Sequence, residues 1–561
     1  MTNRLISLGK KFLAIGGTGR LLRHSIAHII SHEILSSIAI ERTLTLRFLS
    51  FGKKVITIGG TAIGAVALYR YQAVKTEESN LPTNELWSFT RSSTKSAADT
   101  SNNKKQCIII GGGVVGITAA WKLALKGHSV LVLEPNSAPG KECSACAAGG
   151  MQRSNPVVDQ GTWIAVTKSF IPLTRYLFGG SQERYKFFHI DWFETLTDPF
   201  FVRWSATFAR TSLFPCSDQQ RLRIDQLSFT DYAVRDMMKM MKDKKDPMAK
   251  ISGFNPMGSL SLSYDNIETK KRTLNNPTHG NTLEPSKQLE GEDITSVEPS
   301  IINQVERPTG AIYEFETCAA SSERFTEELA KRCANDPKLD VSFLYNTRVK
   351  GMKSCTVDDQ QHRRVSQIQT NRGVINVPKD TQVLIAAGAW TSHIAALMDL
   401  YAPVYPLKGY AMSISADGAL QSKMLKPADL PTRIVCDKYM FTSRLGDEVR
   451  VTSIGEFSGW KTSPTESVEK EFRREAVRQF PKLEFFIKDA IVKCGHRPYV
   501  SDGILLLGRV DSWDNLLVSC GPGKKIRNKP WDQEVVMAST VKPHSPSFAD
   551  ILHFPPHSKS Q

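Results

Sequence analysis

CIIIGGGVVGITAAWKLALKGHSVLVLE, residues Cys107 to Glu134, is the stretch that decides the fold. The apolar run Cys107 to Ile110 predicts a buried strand, glycines at Gly111, Gly113 and Gly116 break it, and Ala120 and Leu123 continue at helical spacing. In this pattern Gly111 permits the tight turn, Gly113 lets backbone approach a pyrophosphate, and Gly116 lets the helix pack closely. Val114 and Val115 open that helix beside the expected phosphates. Gly127 is expected to end the helix, and Ser129 to Leu133 reads as a second, parallel strand. Glu134 then stands where an acid would accept hydrogen bonds from an adenosine ribose hydroxyl. Glycine spacing alone is weak evidence. Strand, turn, helix, strand and acid at the right offsets together predict a dinucleotide-binding unit.

The chain has 561 residues and an apolar fraction of 41%, enough for two or three domains around a sizeable core. Its net charge of +16 is unevenly spread. Residues 1–105 hold fifteen Lys and Arg against six acids, and the tail after Gly523 is again basic. This placement points to a targeting segment, and no interleaving of aromatic and basic residues suggests a nucleic-acid reader. Ten scattered cysteines lack the spacing of a disulfide scaffold, so a reducing compartment is expected. Cys143 and Cys146 form a CxxC without a second pair, so neither zinc nor another metal is expected.

Residues 1–54 carry Arg4, Lys10, Lys11, Arg20, Arg23, Arg42 and Arg47 with no acid before Glu33, the composition of a mitochondrial presequence. Residues 55–70 hold the short apolar run VITIGGTAIGAVALY. It falls short of the roughly twenty residues of a spanning helix, and both a membrane anchor, inner-membrane in a mitochondrion, and a cleaved or packed segment stay open. Residues 71–105, rich in Ser, Thr, Asn, Glu and Lys, read as a disordered linker. After Glu134 comes a loop of small residues in which Ser144, Gly149 and Gly150 are the candidate phosphate contacts. Residues 163–245 carry helical patterning, and 258–264 a strand. TQVLIAAGAW, 381–390, predicts a strand ending at Ala387 and Gly388, where backbone would pass close to a cofactor. Segments from 404, 433, 448 and near 504–508 alternate like antiparallel strands and are expected to form a substrate platform.

Taken in order, the glycine fingerprint, the small-residue loop, VEP, the AAG strand end, VYPLKGY and GHRPYVSDG resemble the D-amino-acid oxidase superfamily of FAD-dependent oxidoreductases. Within it the likeness is nearest to the D-amino-acid dehydrogenases and covers about residues 105–523. The resemblance implies an α/β fold: a Rossmann-like FAD-binding domain (about 106–165, 309–400 and 490–523) and a second α+β substrate domain on an antiparallel sheet (about 166–308 and 401–489). It also implies oxidation of a carbon–nitrogen bond beside a carboxylate, with Arg497 gripping that carboxylate through a bidentate fork. Tyr410 and Tyr439 are either pocket groups for the same carboxylate or core residues. Gly521 and Gly523 begin the turn that in the family leads to a last cofactor-binding helix, but here a basic, proline-containing tail, 524–561, follows. Ala147 stands where dehydrogenase relatives carry an amide.

These readings predict a mitochondrial FAD-dependent dehydrogenase of D-amino acids or related amines, with a quinone or carrier as electron acceptor. A sarcosine- or glycine-type oxidase using oxygen is the enzymatic alternative. The altered tail motivates a third reading, a flavin-binding assembly protein without turnover.

Overall fold

The computed structural model describes residues 81–88, 105–151, 188–213, 232–264, 286–357, 362–437, 440–511 and 513–521. The expected targeting segment, the apolar run at 55–70, the tail 524–561, Tyr439 and Gly523 lie outside the described residues. Among the described residues no helix is long and apolar enough to cross a membrane.

The opening stretch folds as its pattern predicts. Strand β1 (Gln106–Ile110) enters the glycine turn, helix α1 (Val114–Leu125) follows, and β2 (Ser129–Leu133) pairs parallel with β1. Gly127 closes α1 at φ +83°, donating its amide to the Ala124 carbonyl. On the other side of β2 lies β3 (Val341–Leu344), and on the other side of β1 lies β4 (Thr381–Ile385), both parallel. Leu516–Cys520 continues the sheet parallel to β4, and Leu506–Arg509 caps it as an antiparallel edge. Strands with helices or strands over both faces must be apolar on both, which is why β1 reads as an unbroken run. Ile109 faces Ile117, Ala120 and Leu123 of α1 and Phe325 and Leu329 of helix Ser322–Asn335. Ile108 and Ile110 face Val349, Val365, Ile368 and Ile375 of an antiparallel meander, Val349–Thr356, Arg363–Thr370 and Gly373–Asn376.

One expectation fails here. Glu85–Trp87, inside the stretch read as a disordered linker, is a strand parallel to Gly373–Asn376. The Val374 amide donates to the Asn84 carbonyl at 2.9 Å, so an open sheet edge supplies the order that the local composition lacks.

Among the described residues the second sheet has nine strands. Next to its edge lies β5 (Val404–Ser415), which pairs antiparallel with β6 (Glu448–Phe457) on one side and with the edge strand β7 (Val492–Val500) on the other. Met440–Leu445, Ile434–Cys436, Ser259–Ser263, Gly310–Glu314 and Ser286–Glu290 extend it. One face carries Tyr410, Met412 and Val451 against Phe472 and Ala476 of helix Glu466–Gln479. The other carries Tyr405, Leu407 and Tyr499 against Phe201, Trp204 and Phe208 of helix Pro199–Leu213. The stretch at 504–508 is not part of this platform. It pairs with Leu516–Cys520 and completes the first sheet instead.

Candidate active site

The carboxyl ends of β1, β2, β4 and Leu516–Cys520 open on a cavity of about 550 Å³, the location at which parallel α/β sheets bind ligands. The glycine turn forms its floor. Gly111 has φ +113° and donates to the Leu133 carbonyl at 2.9 Å, and a methyl group there would stand 2.8 Å from the Ala386 carbonyl carbon. Gly113 caps α1, whose first amide, Val114 N, donates to Ser144 Oγ at 3.1 Å. Ser144 is in turn anchored through its carbonyl, which accepts from Ser322 Oγ at 2.6 Å.

Glu134 lies 5% exposed on the wall of this cavity. Its carboxylate accepts from Gly112 N at 2.6 Å, from Asn136 N at 2.9 Å and from Asn136 Nδ2 at 2.7 Å. Burial raises its pKa, and the donors from Asn136 and Gly112 oppose that shift. The side chain is therefore aimed by three N–H groups rather than by a countercharge.

The far end is built on β7. Arg497 lines it, 7% exposed, with its fork lying over Gly409 of β5. Burial pulls the guanidinium down to about 10, which leaves it cationic at neutral pH. The turn Gly388–Trp390 packs against β7, bringing Trp390 and then His393 to the same cavity. His496 Nε2 donates to the Lys461 carbonyl at 3.1 Å, and burial holds its pKa down to about 4. His393 is likewise held down to about 4 by burial. Both rings are neutral near pH 7.

The structure thus brings Gly111, Gly113, Val114, Val115, Glu134, Ser144, Ala387, Gly388, Arg497 and Gly521 around one space. Three expected contacts do not reach it. Tyr410 is a correction: its neighbour Gly409 faces the cavity, so strand alternation turns Tyr410 into the core on the opposite face. There its hydroxyl donates to Glu456 Oε2 at 2.6 Å and accepts from Thr465 N at 2.9 Å. Gly149 and Gly150 are the others. Gly149, at φ +82°, exists for the close backbone pairing with Ala320, and Gly150 pairs with Ala319 in a two-stranded ribbon. Gly116 sits behind the turn, where a methyl group would overlap the Gly111 carbonyl, a packing role rather than a lining one.

Other lining residues were not foreseen: Thr347, Arg348, Lys350, Trp390, His393 and Gly409. Only Gly409, a glycine inside a strand pattern, carried a sequence signal of close approach. Cys143 and Cys146 also line the cavity, on the short helix α2 (Cys143–Cys146), as thiols that burial pushes up to about 11 and about 12. Such thiols are poor nucleophiles. No group of three or more His, Cys, Asp or Glu among the described residues is arranged to hold a metal ion.

Residues 106–525 match the family model of DAO, FAD dependent oxidoreductase. The chain belongs to the DAO family of FAD-dependent oxidoreductases. This DAO-family chain is 27% identical over 432 residues to D-amino acid dehydrogenase 2 of Mesorhizobium japonicum, covering 74% of this chain and 91% of the relative. It is 24% identical over 425 residues to D-amino acid dehydrogenase 1 of the same organism, with the same coverage. Among solved structures it is similar to glycine oxidase from Geobacillus kaustophilus, with a TM-score of 0.48, 18% identity, and coverage of 78% of this chain and 92% of that one.

The cavity of this DAO-family oxidoreductase fits FAD. A turn in which a side chain at residue 111 would collide with Ala386 leaves backbone exposed to a pyrophosphate, and a helix N-terminus adjoins it. Glu134, oriented by amides, suits a ribose hydroxyl, and Gly388 and Gly521, both at positive φ, bring strand-end backbone to the space where an isoalloxazine ring would lie.

Proposed function

We propose that this oxidoreductase is a dehydrogenase that takes the carbon–nitrogen bond of D-amino acids or closely related amino acids to the imine. The observation that carries the reading is Arg497, a buried guanidinium on the wall of the same cavity as the glycine turn. A planar, permanently cationic fork binds a carboxylate in two parallel hydrogen bonds, which fixes the α-carbon as well as the charge. The similarity to two D-amino acid dehydrogenases supports the substrate class.

When bound, FAD supplies the two-electron acceptor for the α-hydrogen. What the chain contributes is orientation: Arg497 holds the carboxylate, and Gly409 on the neighbouring strand leaves room for the guanidinium itself. His393 and His496, both near pKa 4, are too weakly basic to take a proton from an ammonium group. The amine therefore reaches the cavity neutral or loses its proton to water, and kcat/KM rises with pH toward the amine's own pKa.

The acceptor of the electrons is proposed to be a quinone or carrier, and the site of action the mitochondrion, on the strength of the basic, acid-poor first fifty residues. The test is the visible spectrum of the purified, FAD-loaded protein under anaerobic conditions. Bleaching by D-amino acids, with slow recovery in air and fast recovery with a quinone, is the expected result. Fast reoxidation by oxygen with stoichiometric peroxide would instead make the protein an amine oxidase of sarcosine or glycine type. A flavin that no amino acid bleaches would remove the catalytic reading altogether.

A further inference from the structure

We infer that the wall formed by Trp390, His393 and His496, backed by Trp460, is a side-chain pocket that favours amino acids with uncharged side chains and rejects basic ones. The inference rests on the amino-acid reading above and specifies its substrate class.

Trp390, His393 and His496 line the cavity that Arg497 also lines. Their rings form one cluster. His393 stacks on Phe200 at 4.3 Å between centroids, meets Trp460 edge-on at 4.0 Å, and lies 5.4 Å from Trp390. The two indoles are 4.6 Å apart, and His496 lies 6.3 Å from each of them. The frame is fixed: Trp460 Nε1 donates to Asp198 Oδ2 at 3.0 Å, and the Tyr405 hydroxyl donates to the same oxygen at 2.9 Å. A wall whose rings are held this way presents a preformed surface to a ligand.

Two polar atoms of these rings lack a partner among the described residues. Nδ1 of His393 and Nδ1 of His496 are buried, and neither has a hydrogen-bond partner among the described residues. His496 is 3% exposed, and because its Nε2–H donates to the Lys461 carbonyl, its Nδ1 is left as a bare acceptor. Neither Nδ1 presents surface to the cavity, so neither offers a ligand an acceptor there.

Charge decides what that ligand is. The carboxylates lining the cavity among the described residues are Glu134 and Glu142. Glu134 is occupied by the Gly112 and Asn136 amides, and Glu142 belongs to the loop that leads into α2. The wall of Trp390, His393, His496 and Arg497 contains no acid. A lysine or arginine side chain would lose its hydration there without a countercharge and would share the space with the Arg497 cation. The indole faces offer a cation–π contact, but that attraction is smaller than the cost of an unpaired, desolvated charge. An aliphatic or aromatic side chain, by contrast, gains its full burial against these rings.

The test uses the full-length, FAD-loaded protein with an artificial electron-accepting dye. For D-phenylalanine, D-methionine and D-alanine, kcat/KM is expected to exceed that for D-arginine and D-lysine by about 100-fold or more. His393→Glu should place a carboxylate in the wall and raise the basic-to-neutral ratio at least about tenfold, whereas His393→Phe, which keeps the ring, should not. Flavin absorbance and melting temperature show whether each variant is loaded and folded, and the wild-type ratio decides the matter where a variant is not. Basic substrates within about threefold of neutral ones, or a loaded His393→Glu protein with an unchanged ratio, would overturn the pocket while leaving amino-acid oxidation intact. If no amino acid of either kind bleaches the flavin, the underlying reading fails and the pocket with it.

Discussion

The fork of Arg497 lies over the backbone of Gly409, so close that a methyl group on residue 409 would stand 2.6 Å from its Cζ. The obstructed atoms are the far end of a flexible side chain, not backbone, so Gly409→Ala should fold and displace the guanidinium. The expected outcome is a rise in KM for the amino acid of about 10- to 100-fold with a smaller change in kcat, and a loss of similar size for Arg497→Lys, which cannot form the fork. Steady-state kinetics on both variants check this. An unchanged KM in both would mean the carboxylate is held elsewhere.

Tyr410 should behave as a core residue. Its hydroxyl bridges Glu456 and the amide of Thr465, and its ring is fully buried. Tyr410→Phe is expected to cost about 1–3 kcal/mol of stability, while KM stays within about twofold of wild type, because no part of the ring faces the cavity. Chemical denaturation and kinetics on the same preparation separate the two roles. A large KM effect without destabilisation would return Tyr410 to the site.

Gly116, in the first turn of α1, and Gly127, just past its end, should differ sharply. At Gly116 a methyl group would overlap the Gly111 carbonyl, and that backbone is tied into the turn, so Gly116→Ala should displace the helix start and cut retained flavin to under about a tenth. At Gly127 nothing lies within 4 Å, so only the left-handed φ of +83° is strained. Gly127→Ala should cost about 1 kcal/mol and leave flavin content unchanged. Flavin absorbance per mole of protein, read after gel filtration, distinguishes them.

His496 makes stability depend on pH. Burial lowers its pKa from 6.5 to about 4, so the unfolded chain binds the proton first as pH falls. The stability contributed by the neutral ring is fully present above pH 6.5 and is lost as pH drops toward 4. The loss is on the order of 2 kcal/mol after allowing for relaxation around the ring. His496→Phe should flatten that part of the curve. Equal slopes for variant and wild type between those limits would show that this ring does not titrate with unfolding.

Among the described cysteines Cys355 is exposed, while Cys143 and Cys494 are partly covered and the other six are buried. A disulfide reagent added to native protein at neutral pH should therefore show a fast phase that is smaller by one equivalent in Cys355→Ser, with Cys146 reacting only after denaturation. Rapid labelling of Cys146 in native protein would contradict its burial as a protonated thiol.

The first βαβ unit was legible because everything that makes it is local. Ile108 to Ile110, the glycine turn and the helical spacing of Ala120 and Leu123 all act within a few residues, through hydrophobic periodicity and backbone sterics. Arg497 was legible through the resemblance of GHRP and its neighbours to a family, not through spacing. The strand at β5 was legible too, yet whether Tyr410 faced the pocket or the core was not. Alternation says that Gly409 and Tyr410 face opposite ways, but only the packing of helix Glu466–Gln479 says which way is core.

The chain's own order of residues determined a parallel α/β unit for FAD and the main strands of a largely antiparallel second sheet, since both depend on short-range patterns. The tertiary structure alone decided that Leu506–Arg509 closes the first sheet, that Glu85–Trp87 joins a third, and that Trp390, His393 and His496 meet beside Arg497. These are choices of partner, register and face between segments far apart in the chain. Identical alternation fits more than one sheet edge, so only the free energy of the assembled core selects among them.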